Sequence, residues 1–336
     1  MIIMNKLTAL FNPEEFQGRG KKNTYFEGWY FKILNASETK AYAFIPGIAL
    51  DEKGNRQSFI QVLDGKNHLS HYFKFDIQSF TAASGMFKIA VCENHFSKNT
   101  IHLNLPGIKG DLHFKNNVPW PSHWYSPGIM GPFTFVPFME CYHGIVSMDN
   151  VVFGQLDIDG EIIDFDNGRG YIEKDWGRSF PKAYVWMQSN HFSTPGISFK
   201  ASIAKIPWLG KSFVGFIAGL WLHERLIRFT TYNNSSLLKS DIDSNKVKLV
   251  LENNIYHLEI IALRDVSTSL ASPIRGFMEG RIEESMSSRI EVSVTDRKTG
   301  CLIFHDHGRN VALEVAGDIN EIVIPFKNIE GIKRDS

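Results

Sequence analysis

The stretch GYIEKDWGRSFPKAYVWMQSNHF, residues 170–192, carries the pattern from which the fold is predicted. Residues 170–176 and 185–192 each fit a β-strand, in which successive side chains point to opposite faces. On the first of these strands, Glu173 and Asp175 share a face with a tyrosine. Charged groups are rarely buried in a strand unless they are paired, so this stretch predicts an ion-pair network or a functional site.

The second strand of this stretch places Trp186, Gln188 and Asn190 on one face. An indole beside two amides is unusual both for a solvent-facing surface and for a plain apolar core. The combination favours the wall of a cavity that holds a mostly apolar ligand with one or two polar groups.

Two-residue alternation recurs along most of the chain in pieces of six to ten residues separated by turn residues. Strands are predicted at 24–34, 40–50, 58–65, 71–80, 276–285 and from 288 onward, with hairpins at 86–105 (turn within 93–99), 159–160 and 253–254. This spacing predicts an all-β chain of two antiparallel, barrel-like halves packed side by side, each of about eight strands. The boundary between the halves is expected near residues 170–180.

A proline-rich segment interrupts the strands. Residues 118–138 contain five of the 13 prolines of the chain. Proline cannot donate a hydrogen bond to a sheet, so a loop is predicted here. Long ordered loops often cover binding sites, and a lid that contacts a membrane surface is one interpretation of this segment.

Composition excludes several classes of function. The 336 residues carry a net charge of zero, so no basic field attracts nucleic acid, and no nucleic-acid partner is expected. Cys92, Cys141 and Cys301 lie far apart and favour a reducing compartment. The first residues do not resemble a signal peptide, and the longest apolar run, 213–222, is too short to span a bilayer. A cytoplasmic protein is therefore expected, with peripheral membrane contact left open.

Motifs for cofactors and metals are weak. No nucleotide-binding glycine motif, P-loop or GxSxG motif occurs, and no cofactor is expected. His305 and His307 share a strand face, and His68 and His71 lie one turn apart if that segment is helical. Neither pair has an evident third ligand nearby, so no metal site is predicted.

Three segments resemble the signature blocks of the tocopherol cyclase family: YFEGWYFK (25–32), FVPFMECYHGIVSM (135–148) and the stretch 163–192 that contains GYIEKDWGRSFP. The resemblance covers residues 24–200, and only the strand pattern continues beyond them. It implies two lipocalin-like antiparallel β-barrels, here residues 1–175 and 176–336. The family is similar to the wider group of two-domain lipocalin-like proteins that includes carotenoid hydratases.

The resemblance also implies a reaction. Tocopherol cyclases close a prenylated hydroquinone into a chromanol: an acid protonates the prenyl double bond, and the ring hydroxyl captures the carbocation. Such chemistry needs a protonated carboxyl, a dry cavity and aromatic faces. Candidate acids are Glu27, Glu140, Glu173 and Asp175. Candidate aromatic faces are Trp29, Tyr142, Trp176 and Trp186, and candidate ligands of the hydroquinone hydroxyls are His143, Gln188 and Asn190.

Other interpretations of the same residues stay open at this point. Glu173 and Asp175 fit a structural ion-pair network about as well as an acid site. The tryptophans fit core packing, and the whole chain fits a lipocalin-like carrier of an apolar or isoprenoid ligand without catalysis. A barrel filled by its own side chains is the third alternative. The oligomeric state is left open.

Overall fold

The computed structural model describes residues 10–325 of the chain. Within that range 22 strands form two sheets, and every paired strand is antiparallel. The predicted all-β fold of two lipocalin-like halves is confirmed. The sheets have 12 and 10 strands, more than the eight expected, and four strands of the first sheet are shorter than five residues. No helix in residues 10–325 has both the length and the apolar character needed to cross a membrane.

The first sheet contains all strands up to residue 177. Its strands are β1 (Tyr25–Leu34), β2 (Ala41–Leu50), β3 (Arg56–Asp64), β4 (Leu69–Asp76), β5 (Phe80–Ala82), β6 (Lys88–Val91), β7 (Asn94–Ser97), β8 (Thr100–Leu105), β9 (Ile108–Lys115), β10 (Cys141–Ile158), β11 (Glu161–Asp164) and β12 (Gly168–Gly177). The order is β4-β3-β2-β1-β12-β10-β9-β8-β7-β6-β5, with β11 beside β10.

The second sheet contains the strands from residue 183 onward. Its strands are β13 (Ala183–Ser189), β14 (Ser198–Trp208), β15 (Lys211–Leu222), β16 (Arg225–Thr230), β17 (Ser236–Ile242), β18 (Lys246–Glu252), β19 (Tyr256–Leu263), β20 (Thr268–Ile274), β21 (Phe277–Asp296) and β22 (Leu302–Gly317). The order is β16-β15-β14-β13-β22-β21-β19-β18-β17, with β20 beside β21. Short 3-10 turns lie at Ile77–Ser79, Gly131–Phe135 and Ile319–Glu321.

Each sheet curves around an apolar core of its own. In the first sheet, the ring of Phe31 on β1 lies 6.0 Å from that of Phe114 on β9 and 5.7 Å from that of Phe96 on β7. These strands are far apart in the sheet order, so the sheet must curl to bring them together. In neither sheet do the two end strands pair within residues 10–325, so both are open barrels.

A third apolar cluster joins the two sheets. It includes Tyr30 and Tyr171 of the first sheet, and Trp186 and Met286 of the second. The central strands therefore bury both faces, one against their own core and one against the other sheet; β1 has no exposed residue along its length. The chain passes between the sheets at 177–183, and the domain bounds 1–175 and 176–336 stay a prediction.

Three strand predictions need correction. The predicted hairpin at 86–105 is three strands, because β7 occupies the segment expected to be its turn. The segments 276–285 and 288–296 are one strand, β21, with register shifts near Ser288 in place of a turn. His71 lies on β4, so His68 and His71 are not on a helix.

The segment 118–138 is a loop with one 3-10 turn, as predicted from its prolines. Trp120 is buried, and the Tyr232 hydroxyl donates a hydrogen bond to the carbonyl oxygen of Ile129 (2.6 Å). The loop is thereby attached to the second sheet. Whether it acts as a lid stays a prediction.

Candidate active site between the two sheets

A mostly apolar cavity of about 200 Å³ lies between the two sheets. Its wall is built from β1–β3, β10 and β12 of the first sheet and from β13–β15 and β20–β22 of the second. Met130 and Phe133 of the loop 118–138 also line it. Since one water needs roughly 10–15 Å³ on this scale, the cavity has room for an organic ligand.

Glu173 on β12 is the predicted acid with the most contacts in this cavity. Its Oε2 accepts hydrogen bonds from the Tyr171 hydroxyl (2.5 Å) and from Trp186 Nε1 (3.1 Å). The side chain is 5% exposed, and burial raises the pKa of Glu173 above its usual value. The structure therefore brings a predicted carboxylate and a predicted indole, from different sheets, into direct contact.

Asp175 and His143 form a cross-strand pair on the cavity wall. They are opposite residues of β12 and β10, and His143 Nδ1–H donates to Asp175 Oδ1 (2.7 Å). This bond leaves Nε2 as the free nitrogen of the imidazole. Nε2 lies 3.5 Å from Glu173 Oε2 and has no hydrogen-bond partner among the described residues. A histidine held in this way can accept a proton from a ligand hydroxyl.

Two further carboxyls in the cavity wall, Glu284 and Glu314, were not predicted. The Tyr30 hydroxyl donates to Glu284 Oε1 (2.5 Å), and the Tyr184 hydroxyl donates to Glu314 Oε2 (2.7 Å). Burial raises the pKa of Glu284 to about 7 and that of Glu314 well above its usual value. The wall thus holds carboxyls whose protonated form is favoured by burial.

Lys200 on β14 was also missed. It lines the cavity, is fully buried, and donates a hydrogen bond from Nζ to Ser202 Oγ (2.9 Å). Burial lowers the pKa of Lys200 to about 8, against the opposing effect of Glu173 and Asp175. The cavity therefore has a basic group as well as its acids.

Glu27, another predicted acid, lies elsewhere. It is fully buried inside the first sheet, where its Oε1 lies 2.6 Å from Lys174 Nζ. Lys174 also lies over the rings of Trp29 (4.9 Å) and Trp176 (4.6 Å) and donates to the carbonyl oxygen of Pro13 (2.9 Å). An ion pair with this many partners explains the conformation of these residues without a ligand. The structure does not bring Glu27, Trp29 or Trp176 to the cavity.

The reason lies in which face of each strand meets the second sheet. On β1, Glu27 and Trp29 point into the first sheet's own core, whereas Tyr30 points toward the cavity. On β12, Glu173 faces the cavity and Lys174 faces the core. The alternation predicted which side chains share a face, but the interpretation of the Glu27 face as a cavity wall does not hold.

Four other predicted residues also lie outside the main cavity: Tyr142, Glu140, Gln188 and Asn190. Tyr142 stacks on Trp176 (5.6 Å between ring centroids), and its hydroxyl donates to the carbonyl oxygen of Val136 (2.7 Å), at the end of the loop. Glu140 lines a small adjoining pocket of about 20 Å³, and burial raises its pKa.

Gln188 and Asn190 belong to a polar cluster at the far end of β13. Gln188 Oε1 accepts a hydrogen bond from Lys32 Nζ (3.0 Å). Asn190 Nδ2 donates to Asp149 Oδ1 (3.0 Å) and to the carbonyl oxygen of Gly170 (2.9 Å). These bonds connect the two sheets rather than line the cavity.

The histidine pair on β22 has a third potential ligand, contrary to expectation. Glu291 lies on the neighbouring strand β21, with Oε1 2.9 Å from His305 Nε2 and Oε2 4.0 Å from His307 Nε2. His305 and His307 are exposed on the surface of the second sheet, and Glu291 is half-buried. The sequence could not show this because Glu291 is adjacent to the histidines only through strand pairing.

For two of the missed residues the sequence did contain a signal, which is a single charged side chain in a strand that is otherwise apolar. Lys200 stands alone in SFKASIA and Glu314 in VALEVAG. A lone charge in a strand that is otherwise apolar needs a partner or a function once it is buried. Glu284, and the tyrosines Tyr30 and Tyr184 that donate hydrogen bonds to the two glutamates, had no comparable signal in the sequence.

A family model described as tocopherol cyclase-like matches residues 115–317. The chain belongs to the tocopherol cyclase-like family. The match begins later than the YFEGWYFK block and continues through the C-terminal part, where only a strand pattern was expected. It includes β10 and β12–β22 and therefore most of the cavity wall.

Similar proteins support the family over short stretches only. The chain is 35% identical over 79 residues to a chloroplastic tocopherol cyclase of Zea mays, which is 24% of this chain and 16% of the relative. It is 39% identical over 57 residues to a probable chloroplastic tocopherol cyclase of Oryza sativa subsp. japonica, covering 17% of this chain and 12% of the relative. Both stretches span well under a fifth of the relative's length.

Among solved structures, the fold is similar to that of CghA crystallised with Sch210972. The TM-score is 0.56 at 11% identity, over 87% of this chain and 88% of CghA. At this identity the likeness extends to the fold alone.

Proposed function

We propose that this protein is an enzyme that cyclises a prenylated hydroquinone, or a related isoprenoid lipid, to a chromanol in the cavity between the sheets. The observation that supports this best is the composition of the cavity wall: buried carboxyls in contact with aromatic side chains and surrounded by apolar ones. A carboxyl in such a place stays protonated and can therefore act as an acid at neutral pH. Membership of the tocopherol cyclase-like family points to the same chemistry.

The proposed reaction begins with proton transfer from a wall carboxyl to the prenyl double bond. The tertiary carbocation that results needs aromatic faces nearby and no water to capture it. Trp186 and Tyr30 offer such faces, with ring centroids 5.5 Å apart in an edge-to-face arrangement. Phe26 and Phe59 are among the apolar residues that keep the wall dry.

The second half of the reaction needs a base. As the ring hydroxyl oxygen attacks the cation and forms the new C–O bond, its proton must leave. His143 Nε2 is the proposed acceptor, because it has no hydrogen-bond partner within residues 10–325 and Nδ1–H is held by Asp175. One proton enters the substrate and one leaves it, so the overall reaction is an isomerisation.

The test is to incubate the purified protein in D₂O with a methylated hydroquinone that carries one prenyl chain. The expected result is a chromanol with one deuterium on the former alkene carbon. Unchanged substrate with tight binding, measured by quenching of tryptophan fluorescence, would instead support the carrier alternative. Absence of both turnover and binding would refute the proposal for this class of ligand.

A further inference from the structure

We propose that Glu284 and Glu314 form a proton-sharing carboxyl pair, and that Glu284 is the group that donates the proton to the substrate. This inference rests on the proposed function and specifies its acid. It assigns the acid role to a residue outside the candidates from the sequence, which were Glu27, Glu140, Glu173 and Asp175.

Strand pairing places the two carboxyls side by side. Glu284 on β21 and Glu314 on β22 are opposite residues, and Glu314 is in turn opposite Trp186 on β13. Side chains that are opposite in an antiparallel pair have Cβ atoms about 4.5–5.5 Å apart on the same face. All three residues line the cavity, so an acid pair lies next to an indole at the site where a cation would form.

The hydrogen bonds distinguish the two oxygens of Glu284. Its Oε1 accepts from the Tyr30 hydroxyl, whereas its Oε2 is buried and has no hydrogen-bond partner among the described residues. A buried carboxylate oxygen without a donor is costly, and protonation removes the charge that makes it so; Oε1 already accepts from Tyr30, which leaves Oε2 for the proton. Oε2 is therefore the oxygen that carries the proton, and Tyr30 holds the carboxyl in place. Tyr184 does the same for Glu314.

The charges around the pair favour one shared proton. The groups with electrostatic influence on Glu284 or Glu314 are Tyr30 and Lys32 on β1, Glu173 and Asp175 on β12, and Tyr184 on β13; Lys200 on β14 lies on the same cavity wall. Four carboxyls thus share their surroundings with two lysines. Two adjacent carboxyls in an apolar site do not both ionise, because each negative charge raises the pKa of the other. Burial is the main cause that raises the pKa of Glu284 to about 7, and burial together with the charge of Glu284 raises the pKa of Glu314 well above its usual value.

Proton transfer from Glu284 to the alkene conserves atoms and charge. The proton of Glu284 Oε2 moves to an alkene carbon as the π electrons form the new C–H bond, and the adjacent carbon becomes the cation. The carboxylate that remains is hydrogen-bonded by Tyr30 and can share the proton of Glu314. The hydroxyl proton released at His143 restores the original proton count of the cavity.

The experiment compares wild type with Glu284→Gln, Glu314→Gln and Glu283→Gln. Glu283 is the matched control, because it lies on the same strand but is exposed. With the prenylated hydroquinone, we expect Glu284→Gln to lower kcat by about 100-fold or more while substrate binding and the folded structure are kept. Glu314→Gln removes the carboxyl whose pKa the charge of Glu284 raises, so one of the two titrations of the pair should be lost from the pH profile of activity. Glu283→Gln should change neither.

A second measurement tests the Glu284–Glu314 carboxyl pair independently of the proposed function. Infrared difference spectra at neutral pH should show the carbonyl stretch of a protonated, buried carboxyl that is present in wild type and absent in Glu284→Gln. If wild type lacks this band, or if Glu284→Gln retains turnover within about threefold, the carboxyl pair is refuted. If the band is present but no prenylated hydroquinone is turned over, the proton-sharing pair stands and the proposed function fails.

Discussion

Substitution of Glu284 by glutamine should remove a specific part of the pH dependence of stability. Burial raises the pKa of Glu284 from its usual 4.5 to about 7 in the folded protein. Below pH 4.5 the group is protonated in both states and has no effect on the pH dependence. Between pH 4.5 and 7 the unfolded chain ionises first, so the folded state loses stability as the pH rises. At about 1.4 kcal/mol per pKa unit the loss is roughly 3 kcal/mol, complete above pH 7.

The measurement is the free energy of unfolding in urea at several pH values from 4.5 to 8, for wild type, Glu284→Gln and the control Glu283→Gln. Glutamine does not titrate, so the difference between Glu284→Gln and wild type should shift by roughly 3 kcal/mol in favour of the variant across this range. Any constant offset from the amide leaves this slope unchanged. If the two curves run parallel, as those of wild type and Glu283→Gln should, Glu284 is not a proton carrier and the reasoning fails.

Three further outcomes are expected. Asp175→Asn should lower kcat by about 100-fold, with the fold retained, since the amide cannot hold His143 in its accepting tautomer; an unchanged kcat would contradict this role. Trp186→Ala should reduce the free energy of unfolding by about 3–5 kcal/mol, whereas a loss below about half a kcal/mol would argue against a buried role. Gly276→Ala should reduce the free energy of unfolding by roughly 3 kcal/mol, because φ is 87° and the new Cβ would lie 2.2 Å from the carbonyl oxygen of Leu50. Gly300→Ala, where φ is 72° and the space is open, should reduce it by only about 1 kcal/mol. Equal losses in the two variants would refute the packing argument.

The site itself was predictable in part. Glu173, Asp175, His143 and Trp186 were named from the sequence, and all four line the cavity. They were identified because burying a polar group in a strand of high β-propensity costs free energy unless the group is paired or has a function. Glu27 shows the same sequence pattern, but its burial is explained by the ion pair with Lys174. Composition cannot separate a paired structural carboxylate from a ligand-facing one.

The sequence by itself determined most of the strands, the residues that share a face on each of them, and the family. These follow from local rules: side chains alternate with a period of two, and proline and glycine interrupt the pattern. Which face of a strand looks toward the cavity was not determined. The central strands bury both faces, so the contrast between apolar and polar residues that would reveal the outer face is missing.

Only the tertiary structure decided which carboxyls and aromatic side chains meet in the cavity wall. Trp186, Glu284 and Glu314 are up to 128 positions apart along the chain and become neighbours through the order β13-β22-β21 and its register. Register depends on the fit of whole strands, and a slip of one residue would turn each of these side chains to the opposite face. The protonation of the carboxyls likewise depends on burial between two sheets, since the same glutamates in an isolated strand would be hydrated and ionised.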